Sequence, residues 1–586
     1  MLRWPRHFGR HLLFAAVLAF LLVFLVWPIA LTVRGGFVEA GPRGGWTLKY
    51  LASVFADPLW MRGLGNSVLI ACFTTLLCIG LALPLAVIAA RYDFTAKPLL
   101  TSLLLLPLVL PPFVGAIGLR ALLGRFGAVN ALLMHVGWLA ADQPGIDLLG
   151  GAWLGGRMAG VILMESLHLY PILYLNLVAA LSNIDPTLEE AAENLGAGRW
   201  RRFRRITIPL SLPGLFSGAT IVFIWSFTEL GTPLMFDYYT VTPVQIFWGI
   251  QEMAENPRPY ALVVVMLTVA VGLYALGRLV FGRRGEAMTT KAAIAATAPR
   301  LRGWRNVLAV AAFVGLILAA VSPHVGVVLS SLSEDGAWYR SIVPRSWTVD
   351  HYVQALSHPL AGGSIRNSLI YASAAMVMCM VLGLAIAYLH VRVRARGAWL
   401  LDGLAMLPLA TPGLVMAFGY VAMTLSWPFK PGAVLGGWFD IVGMNPNPVG
   451  LLVIAYAVRR LPYVVRSVAA GLEQTSVSLE EAAWNLGASR LTALRRIVAP
   501  LIFANLIAGG LLAFSLAMLE VSDSLILAQK QEHFPITKAI FELYNRLGDG
   551  PYIAAAMGVW GMALLGLTLV GAGLLLGRRL GAVFRV

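Results

Sequence analysis

Charged residues are scarce in this sequence. Asp, Glu, Lys and Arg make up only 12% of its 586 residues, whereas hydrophobic residues make up 59%. A typical soluble domain carries roughly 25% charged residues, so this composition indicates a polytopic membrane protein. The net charge of +16 does not predict a nucleic-acid partner. The basic residues are spread between apolar segments, and such charges indicate how a chain is oriented in lipid.

The motifs of a bound metal or nucleotide are also missing. Cys72, Cys78 and Cys379 all lie in apolar stretches and predict neither a disulfide framework nor a thiolate metal site. The sequence has no His-Glu-x-x-His zinc motif, because its His-x-x-x-His pair at His7 and His11 lacks the glutamate, and it has no Gly-x4-Gly-Lys-[Ser/Thr] phosphate-binding loop. We therefore expect no catalytic residue, metal or cofactor in this chain, and a function other than that of an enzyme.

Apolar runs of membrane length are abundant instead. They predict an all-α polytopic membrane protein with about 12 transmembrane helices. Prolines at 107, 111 and 112, and again at 408 and 412, should kink the third run of each half. The runs lie at about 12–33, 66–90, 98–119, 158–181, 208–236, 260–281, 306–330, 367–391, 398–425, 448–472, 499–529 and 552–577.

The second half of the chain repeats the first. Asn66 recurs as Asn367, an offset of 301 residues, and Pro171 recurs as Pro462, an offset of 291. The drop in offset places ten extra residues near 122–157 of the first half. Six helices return a chain to its starting side, so the repeats should be related by a pseudo-twofold axis along the membrane normal. The predicted division is a first half at 1–282, a linker at 283–304 and a second half at 305–586.

One polar block interrupts each half. The copies at 187–209 and 478–500 both read Glu-Ala-Ala-x3-Gly-x9-Ile-x2-Pro without a gap. A single block of this kind would be interpreted as a charged loop between two spans. Two copies matched over the whole spacing favour a shared function.

Each block predicts a short helix that ends at a glycine. Thr187 and Ser478 fit the first position of a capping box, although Asp185-Pro186 offers a competing start in the first copy. Gly196 and Gly487 stand where a left-handed helix end favours glycine. A basic segment then leads back to the membrane in both copies.

This duplicated block resembles the EAA loop of the permease subunits of bacterial ATP-binding-cassette importers, and the resemblance covers nearly the whole chain as two permease halves. It implies that each loop holds a coupling helix, which docks into a groove on an ATPase subunit. ATP and Mg would then be bound by that partner. The resemblance assigns ATPase coupling to Glu189, Glu190, Ala191, Ala192 and Gly196, and to Glu480, Glu481, Ala482, Ala483 and Gly487.

The resemblance also implies partners and a location. Two copies of the ATPase subunit would meet the loops, and a periplasmic or lipid-anchored substrate-binding protein would meet the outer face. The chain would be a multi-pass protein of the bacterial inner membrane, in contact with lipid. If both termini and both loops share one side, that side holds most of the 44 Lys and Arg residues. The positive-inside rule makes that side cytoplasmic.

The fused twelve-span form is similar to the importer permeases for ferric iron and thiamine. The segment 227–234, Phe-Thr-Glu-Leu-Gly-Thr-Pro-Leu, resembles the iron(III) branch most. Ferric iron is therefore the expected substrate. Thiamine, aminoalkylphosphonates and polyamines are the alternatives, because their importers share the fold.

Acidic residues within the spans are candidates for the translocation pathway, since ionisable groups in lipid usually face the bundle interior or a wet cavity. Glu229 and Glu520 match at the offset of 291, and Asp523 lies one turn after Glu520. Their oxygens suit a hard cation. The alternative interpretation is a helix-end carboxylate at the outer membrane interface, or one that holds a loop by hydrogen bonds.

Three arginines, Arg459, Arg460 and Arg466, lie in the tenth apolar run. They are candidates for contact with an anionic substrate or chelate. Two other interpretations remain open at this point: ion pairs with Glu520 or Asp523, and snorkelling of the side chains towards the membrane surface.

A different class of function also accommodates the repeat. In a proton-coupled secondary transporter, Glu229 and Glu520 would carry protons across the membrane. This hypothesis gives no reason for the duplicated polar block. Uptake that persists without ATP or an ATPase subunit would favour it.

Overall fold

The computed structural model describes residues 8–39, 45–140, 142–150, 157–253, 255–281, 299–436, 439–441 and 446–576. In these ranges the regular elements are helices, and β-structure is limited to isolated bridges such as that between Val38 and Trp46. The predicted all-α class is confirmed. Residues 283–298 of the predicted linker lie outside the described residues, and the division of the chain into halves stays a prediction.

Helices occupy each of the twelve apolar runs. Eight of those in the described residues are long and apolar enough to cross a membrane, or up to ten if each of two sharply bent pairs is one span. The helices of the first half are Phe8–Leu21, Leu22–Val26, Trp27–Gly35, Lys49–Ala56, Pro58–Arg91, Lys97–Leu103, Leu106–Val109, Pro112–Leu123, Ala128–His135, Met158–Ser182, Pro186–Asn194, Arg199–Arg202, Phe203–Thr207, Ile208–Phe227, Gly231–Met235, Thr242–Gly249, Ile250–Glu252 and Arg258–Phe281. Those of the second half are Gly303–Ser331, Asp350–Ser357, Pro359–Ala387, Tyr388–Arg392, Ala398–Ala410, Gly413–Thr424, Val449–Gln474, Ser478–Asn485, Arg490–Ala493, Leu494–Val498, Ala499–Leu501, Phe503–Met518, Ser522–Leu527, Gln531–His533, Ile536–Tyr544 and Gly550–Leu576.

Prolines break the third run of each half, as predicted. In the second half, Ala398–Ala410 and Gly413–Thr424 meet at 108° across Thr411 and Pro412. Thr411 is extended, with ψ of 125°, because the residue before a proline is disfavoured in the helical region. Leu110 of the first half is extended for the same reason, with ψ of 126°. Such breaks are tolerated in a membrane where protein or a wet cavity covers the backbone.

The helices pack into two units. One unit contains Met1–Val54, Ile246–Val264 and Val349–Val586, and the other contains Phe55–Gln245 and Val265–Thr348. The first span of the first half, residues 8–35, is therefore packed in the unit that contains most of the second half. The first span of the second half, Gly303–Ser331, is packed in the unit that contains most of the first half.

Two glycines allow this exchange of first spans by close approach of helix backbones. A Cβ added at Gly118 would lie 1.8 Å from the carbonyl oxygen of Pro323, within one unit. A Cβ added at Gly419 would lie 2.7 Å from the carbonyl oxygen of Pro28, within the other unit. Gly118 and Gly419 match at the offset of 301, so both halves accept the first span of the other half through the same position.

The repeated Asn-Ser pair positions the segment that follows the fifth span. Ser67 Oγ accepts a hydrogen bond from the backbone N–H of Thr242 at 2.9 Å, where the helix Thr242–Gly249 begins. Ser368 Oγ accepts one from Ile536 at 2.7 Å, where Ile536–Tyr544 begins. Each serine thus satisfies one of the backbone donors left open at a helix start.

Candidate functional site

The polar block of the first half forms a short helix, Pro186–Asn194, here called loop helix 1. Its N-cap is Asp185, whose carboxylate accepts from the N–H of Thr187 at 2.9 Å. The helix therefore uses the competing Asp-Pro start, and the capping box expected from Thr187 is not formed. Asp followed by Pro supplies both a strong acceptor and a backbone already set for a helix.

The second polar block forms loop helix 2, Ser478–Asn485. Its N-cap is Val477, which offers no side-chain acceptor, and Ser478 is already inside the helix. The capping box expected from Ser478 is therefore absent here as well. Ser476 Oγ accepts from the N–H of Ser478 at 3.3 Å and takes over part of the capping role.

Both loop helices end as the sequence predicts. Gly196 has φ of +78° and Gly487 has φ of +86°, which confirms the left-handed glycine at each end. After the first glycine, the N–H of Ala197 donates to the carbonyl of Ala192 at 2.9 Å. Ala488 donates to Ala483 at the same distance. This six-to-one bond is the mark of a Schellman ending, which turns the chain sharply back.

The first glutamate of loop helix 1 faces the spans. Arg91, the last residue of the helix Pro58–Arg91, donates two hydrogen bonds to the carboxylate of Glu189. Thr207, on the returning segment, donates to the same carboxylate at 2.7 Å. Burial alone would raise the pKa of Glu189, but the bonds from Arg91 and Thr207 outweigh it and hold the pKa below its ordinary value.

The first glutamate of loop helix 2 has the matching partner. Arg392 Nε lies 3.0 Å from Glu480 Oε1, at ion-pair distance but without the geometry of a hydrogen bond. Glu480 is only 2% exposed. Burial raises its pKa, and Arg392 opposes that rise only in part. Arg392 also donates to the carbonyl of Thr475 at 2.7 Å, just before the loop helix begins.

The opposite face of each loop helix is open. The second glutamates, Glu190 and Glu481, are exposed. A leucine before each terminal glycine is almost fully exposed, at 88% for Leu195 and 89% for Leu486. These leucines are not among the site residues predicted from the sequence, although their identical position in both copies is a visible signal. Leu188 and Leu479 extend the apolar surface and are 48% and 46% exposed.

The acids and two of the arginines of the second half form one buried cluster. Arg459 donates to Glu520 at 2.6 Å, and Arg460 donates to the other oxygen of the same carboxylate. Asp523, 1% exposed, lies 3.6 Å from Arg459. Of the interpretations left open for Arg459 and Arg460, the ion pair with Glu520 is the one observed.

Arg466 lies apart from this cluster. Its guanidinium is 3.3 Å from Asp402, and its side chain is 53% exposed. The three arginines therefore do not form a single site. A substrate contact by any of them stays a prediction.

Glu229 caps a helix in the other unit. Its carboxylate accepts from the N–H of Gly231 at 3.1 Å and of Thr232 at 3.4 Å, at the start of the helix Gly231–Met235. These contacts are those of a carboxylate that holds a loop by hydrogen bonds. A role for Glu229 in the pathway stays a prediction.

The buried carboxylate of Glu165 is not among the site residues predicted from the sequence. Glu165, 2% exposed, lies in the helix Met158–Ser182 and accepts a hydrogen bond from Ser226. The matching position in the second half, Tyr456, is 2.6 Å from Ser524 through its hydroxyl. A glutamate within a strongly apolar run was the signal that could have found it. The matching position of the second half holds no acid, so the comparison of the two halves does not point to Glu165.

Comparison with known proteins gives a family and several relatives. The family model for the binding-protein-dependent transport system inner membrane component matches residues 82–286 and 379–579. The ferric transport system permease protein FbpB of Actinobacillus pleuropneumoniae is 26% identical over 527 residues, which cover 87% of this chain and 69% of the relative. The putative ferric transport system permease protein FbpB 1 of Haemophilus influenzae is 27% identical over 492 residues, which cover 82% of this chain and 71% of the relative. The molybdenum transport system permease protein ModB of Escherichia coli is 34% identical over 187 residues, 31% of this chain and 74% of the relative.

Proposed function

Because the chain belongs to the family of binding-protein-dependent transport system inner membrane components, we propose that it couples one ATPase subunit to each loop helix and imports ferric iron. Its role as an ABC importer permease and its place in the inner membrane follow from the family and from its apolar helices. The copy number of the ATPase, the outer-face docking of a binding protein and the cytoplasmic position of both termini are parts of the proposal.

The exposed apolar surface of the loop helices is the observation that supports ATPase docking. Leu188 and Leu195 in one loop correspond to Leu479 and Leu486 in the other, and all four are exposed. Exposed leucines bordered by charged residues are typical of a surface that a partner covers. The repetition of the surface at both loops fits two identical partners.

Ferric iron is supported by the extent of the similarity. The relatives named as ferric permeases match 87% and 82% of the chain, whereas the molybdenum permease matches 31%. Glu229, Glu520 and Asp523 are hard oxygen donors, but Glu229 caps a helix and Glu520 pairs with two arginines, so the extent of the similarity is the support for iron. Arg459 and Arg460 are engaged by Glu520, which makes the cluster a weaker candidate for an oxyanion such as molybdate.

The test uses the permease purified with its ATPase and binding protein in lipid vesicles. Binding protein loaded with Fe(III) should stimulate ATP hydrolysis and ATP-dependent uptake of radioactive iron, and binding protein mixed with molybdate should not. Uptake of iron without ATP would overturn the ABC mechanism in favour of a secondary transporter. Stimulation by molybdate alone would overturn the substrate.

Docking is tested by charge placed on the loop surface. The double variant L195D/L486D should lose ATPase during co-purification while its amount in the membrane is unchanged, because a carboxylate would be desolvated in the interface. The control is Leu547→Asp, since Leu547 is 99% exposed and lies outside both loops. Full retention of ATPase by L195D/L486D would contradict the proposed docking surface.

A further inference from the structure

Each half has a contact between its second span and its loop helix. The two partners of this contact recur in the second half at different sequence offsets. Arg91 and Arg392 are separated by 301 residues, whereas Glu189 and Glu480 are separated by 291. The ten extra residues of the first half lie between them in sequence, yet each half brings its own arginine to its own glutamate. We call Arg91–Glu189 and Arg392–Glu480 the anchoring pairs.

The first anchoring pair joins three elements. Arg91 ends the second span, Glu189 lies in loop helix 1, and Thr207 ends the returning π-helical turn Phe203–Thr207. The side chains of Arg91 and Glu189 are 27% and 18% exposed. Thr207 also accepts from Arg91 at 3.0 Å, which closes a ring of three hydrogen-bonded groups. A two-pronged Arg–carboxylate contact fixes orientation as well as distance.

The second anchoring pair is more deeply buried. The side chains of Arg392 and Glu480 are 7% and 3% exposed. Arg392 ends the π-helical turn Tyr388–Arg392, which extends the second span of its half to the loop. The bond from Arg392 to the carbonyl of Thr475 ties the same guanidinium to the entry of loop helix 2.

These pairs attach otherwise exposed helices to the membrane part of the chain. Apart from Glu189 and Ala192, the side chains of loop helix 1 from Thr187 onward are exposed. Arg202 on the returning segment also pairs with Glu193 of this helix, whereas the anchoring pair is the contact that joins the helix to the second span. Without the anchoring pair, a push on the exposed face would reorient the helix instead of moving the span.

We propose that Arg91 and Arg392 are positioning residues that make each loop helix move as one body with the second span of its half. The inference rests on the proposed function for what binds the exposed face. Loss of the pairs should leave ATPase docking intact and lower the amount of substrate transported per ATP hydrolysed.

The test compares R91A, R392A and the double variant with wild type in vesicles that contain the ATPase and Fe(III)-loaded binding protein. ATPase should co-purify normally, and transport per ATP should fall in each single variant and by roughly tenfold in the double variant, within the range of measured coupling between sites. Arg302→Ala is the control, because Arg302 is exposed and lies outside both loops. An unchanged ratio in the double variant would overturn the inference.

Charge reversal separates positioning from folding. R91E should lower transport per ATP, and R91E/E189R should recover part of it, because the swapped pair restores the attraction. No recovery, with both proteins present at wild-type amounts, would count against the anchoring role.

If R91A does not accumulate in the membrane, Glu189→Gln keeps the shape and a single hydrogen bond from Arg91, and it should give an intermediate ratio of transport per ATP. A wild-type ratio for that variant would overturn the inference.

The failure of this inference differs from failure of the proposed function. If L195D/L486D keeps its ATPase, or if wild type takes up iron without ATP, the docking model itself is wrong. If wild type couples transport to ATP and R91A/R392A does so equally well, only the anchoring role is wrong.

Discussion

Neighbouring glutamates in each loop helix serve opposite faces. Glu189 and Glu480 are turned to arginines at the ends of spans, whereas Glu190 and Glu481 are exposed. Consecutive residues of an α-helix point roughly 100° apart, so a Glu-Glu pair supplies one inward and one outward carboxylate. The first glutamate of each pair thus attaches the helix to a span, and the next residue lies on the surface that a partner could bind.

The buried cluster around Glu520 gives a prediction about stability. Glu520→Gln would remove the carboxylate that Arg459 and Arg460 share, in a site where Glu520 is only 4% exposed, while Asp523 stays 3.6 Å from Arg459. Removing one partner of a buried ion pair lowers the free energy of unfolding by about 3–5 kcal/mol. We expect a clear drop in the thermal unfolding temperature of the purified permease.

The matched control is Asp402→Asn, which removes the partner of the half-exposed Arg466. An exposed ion pair contributes about 0–1 kcal/mol, and Arg466 is half-exposed, so that variant should melt closer to wild type than Glu520→Gln. Equal melting temperatures for Glu520→Gln and Asp402→Asn would show that the cluster does not stabilise the fold.

At the level of the element, each loop helix depends on the turn that ends it. The helices have only nine and eight residues, too short to be stable alone in water. Their capping interactions and Schellman endings keep them helical, and the anchoring pairs attach them to the second spans. The turn at the glycine also sets the direction in which Leu195 or Leu486 is presented.

Substitution of the terminal glycine should therefore weaken docking. Gly196→Ala has open space around its new Cβ, but φ of +78° is strained for alanine by about 1–2 kcal/mol. We expect faster hydrogen exchange at the amides of loop helix 1 and weaker ATPase binding. Gly198→Ala is the control, since its surroundings are equally open and its φ is −62°. Identical exchange in the two variants would contradict the prediction.

The sequence predicts elements here better than it predicts their partners. The apolar runs, the proline breaks and the left-handed glycines were all readable, because each depends on a few neighbouring residues. The contact of Arg91 with Glu189 was not, since it joins residues 98 apart and depends on where two helices end. The start of loop helix 1 at Asp185 was foreseen only as an alternative, because two capping signals compete within three residues.

For the whole molecule, the exchange of first spans is the main architectural fact that hydropathy could not reveal. The repeat offsets place each first span in its own half, whereas packing places Gly303–Ser331 with residues 55–245. Its Pro323 reaches Gly118 through a backbone contact that only glycine permits. Pattern and spacing define which segments are helical, but packing decides which helices belong together.

Filling that contact should destabilise the unit. Gly118→Ala would place a Cβ 1.8 Å from the carbonyl oxygen of Pro323, so the two helices must separate. Overpacking of this kind lowers the free energy of unfolding by about 1–3 kcal/mol. We expect a lower melting temperature than for Gly315→Ala, whose new Cβ on the packed first span meets nothing within 4 Å. A Gly118→Ala protein as stable as Gly315→Ala would refute the close approach.

The swapped first spans carry a consequence for how the protein is made. The N-terminal span leaves the ribosome long before residues 349–586, the bulk of the unit it joins, have been synthesised. Until then this span is surrounded by lipid in the bilayer, so the unit can be completed only after most of the chain has been inserted. A nascent chain that stops after the first half would contain its N-terminal span without the unit that packs against it. It would also lack Gly303–Ser331, the span that packs with residues 55–245.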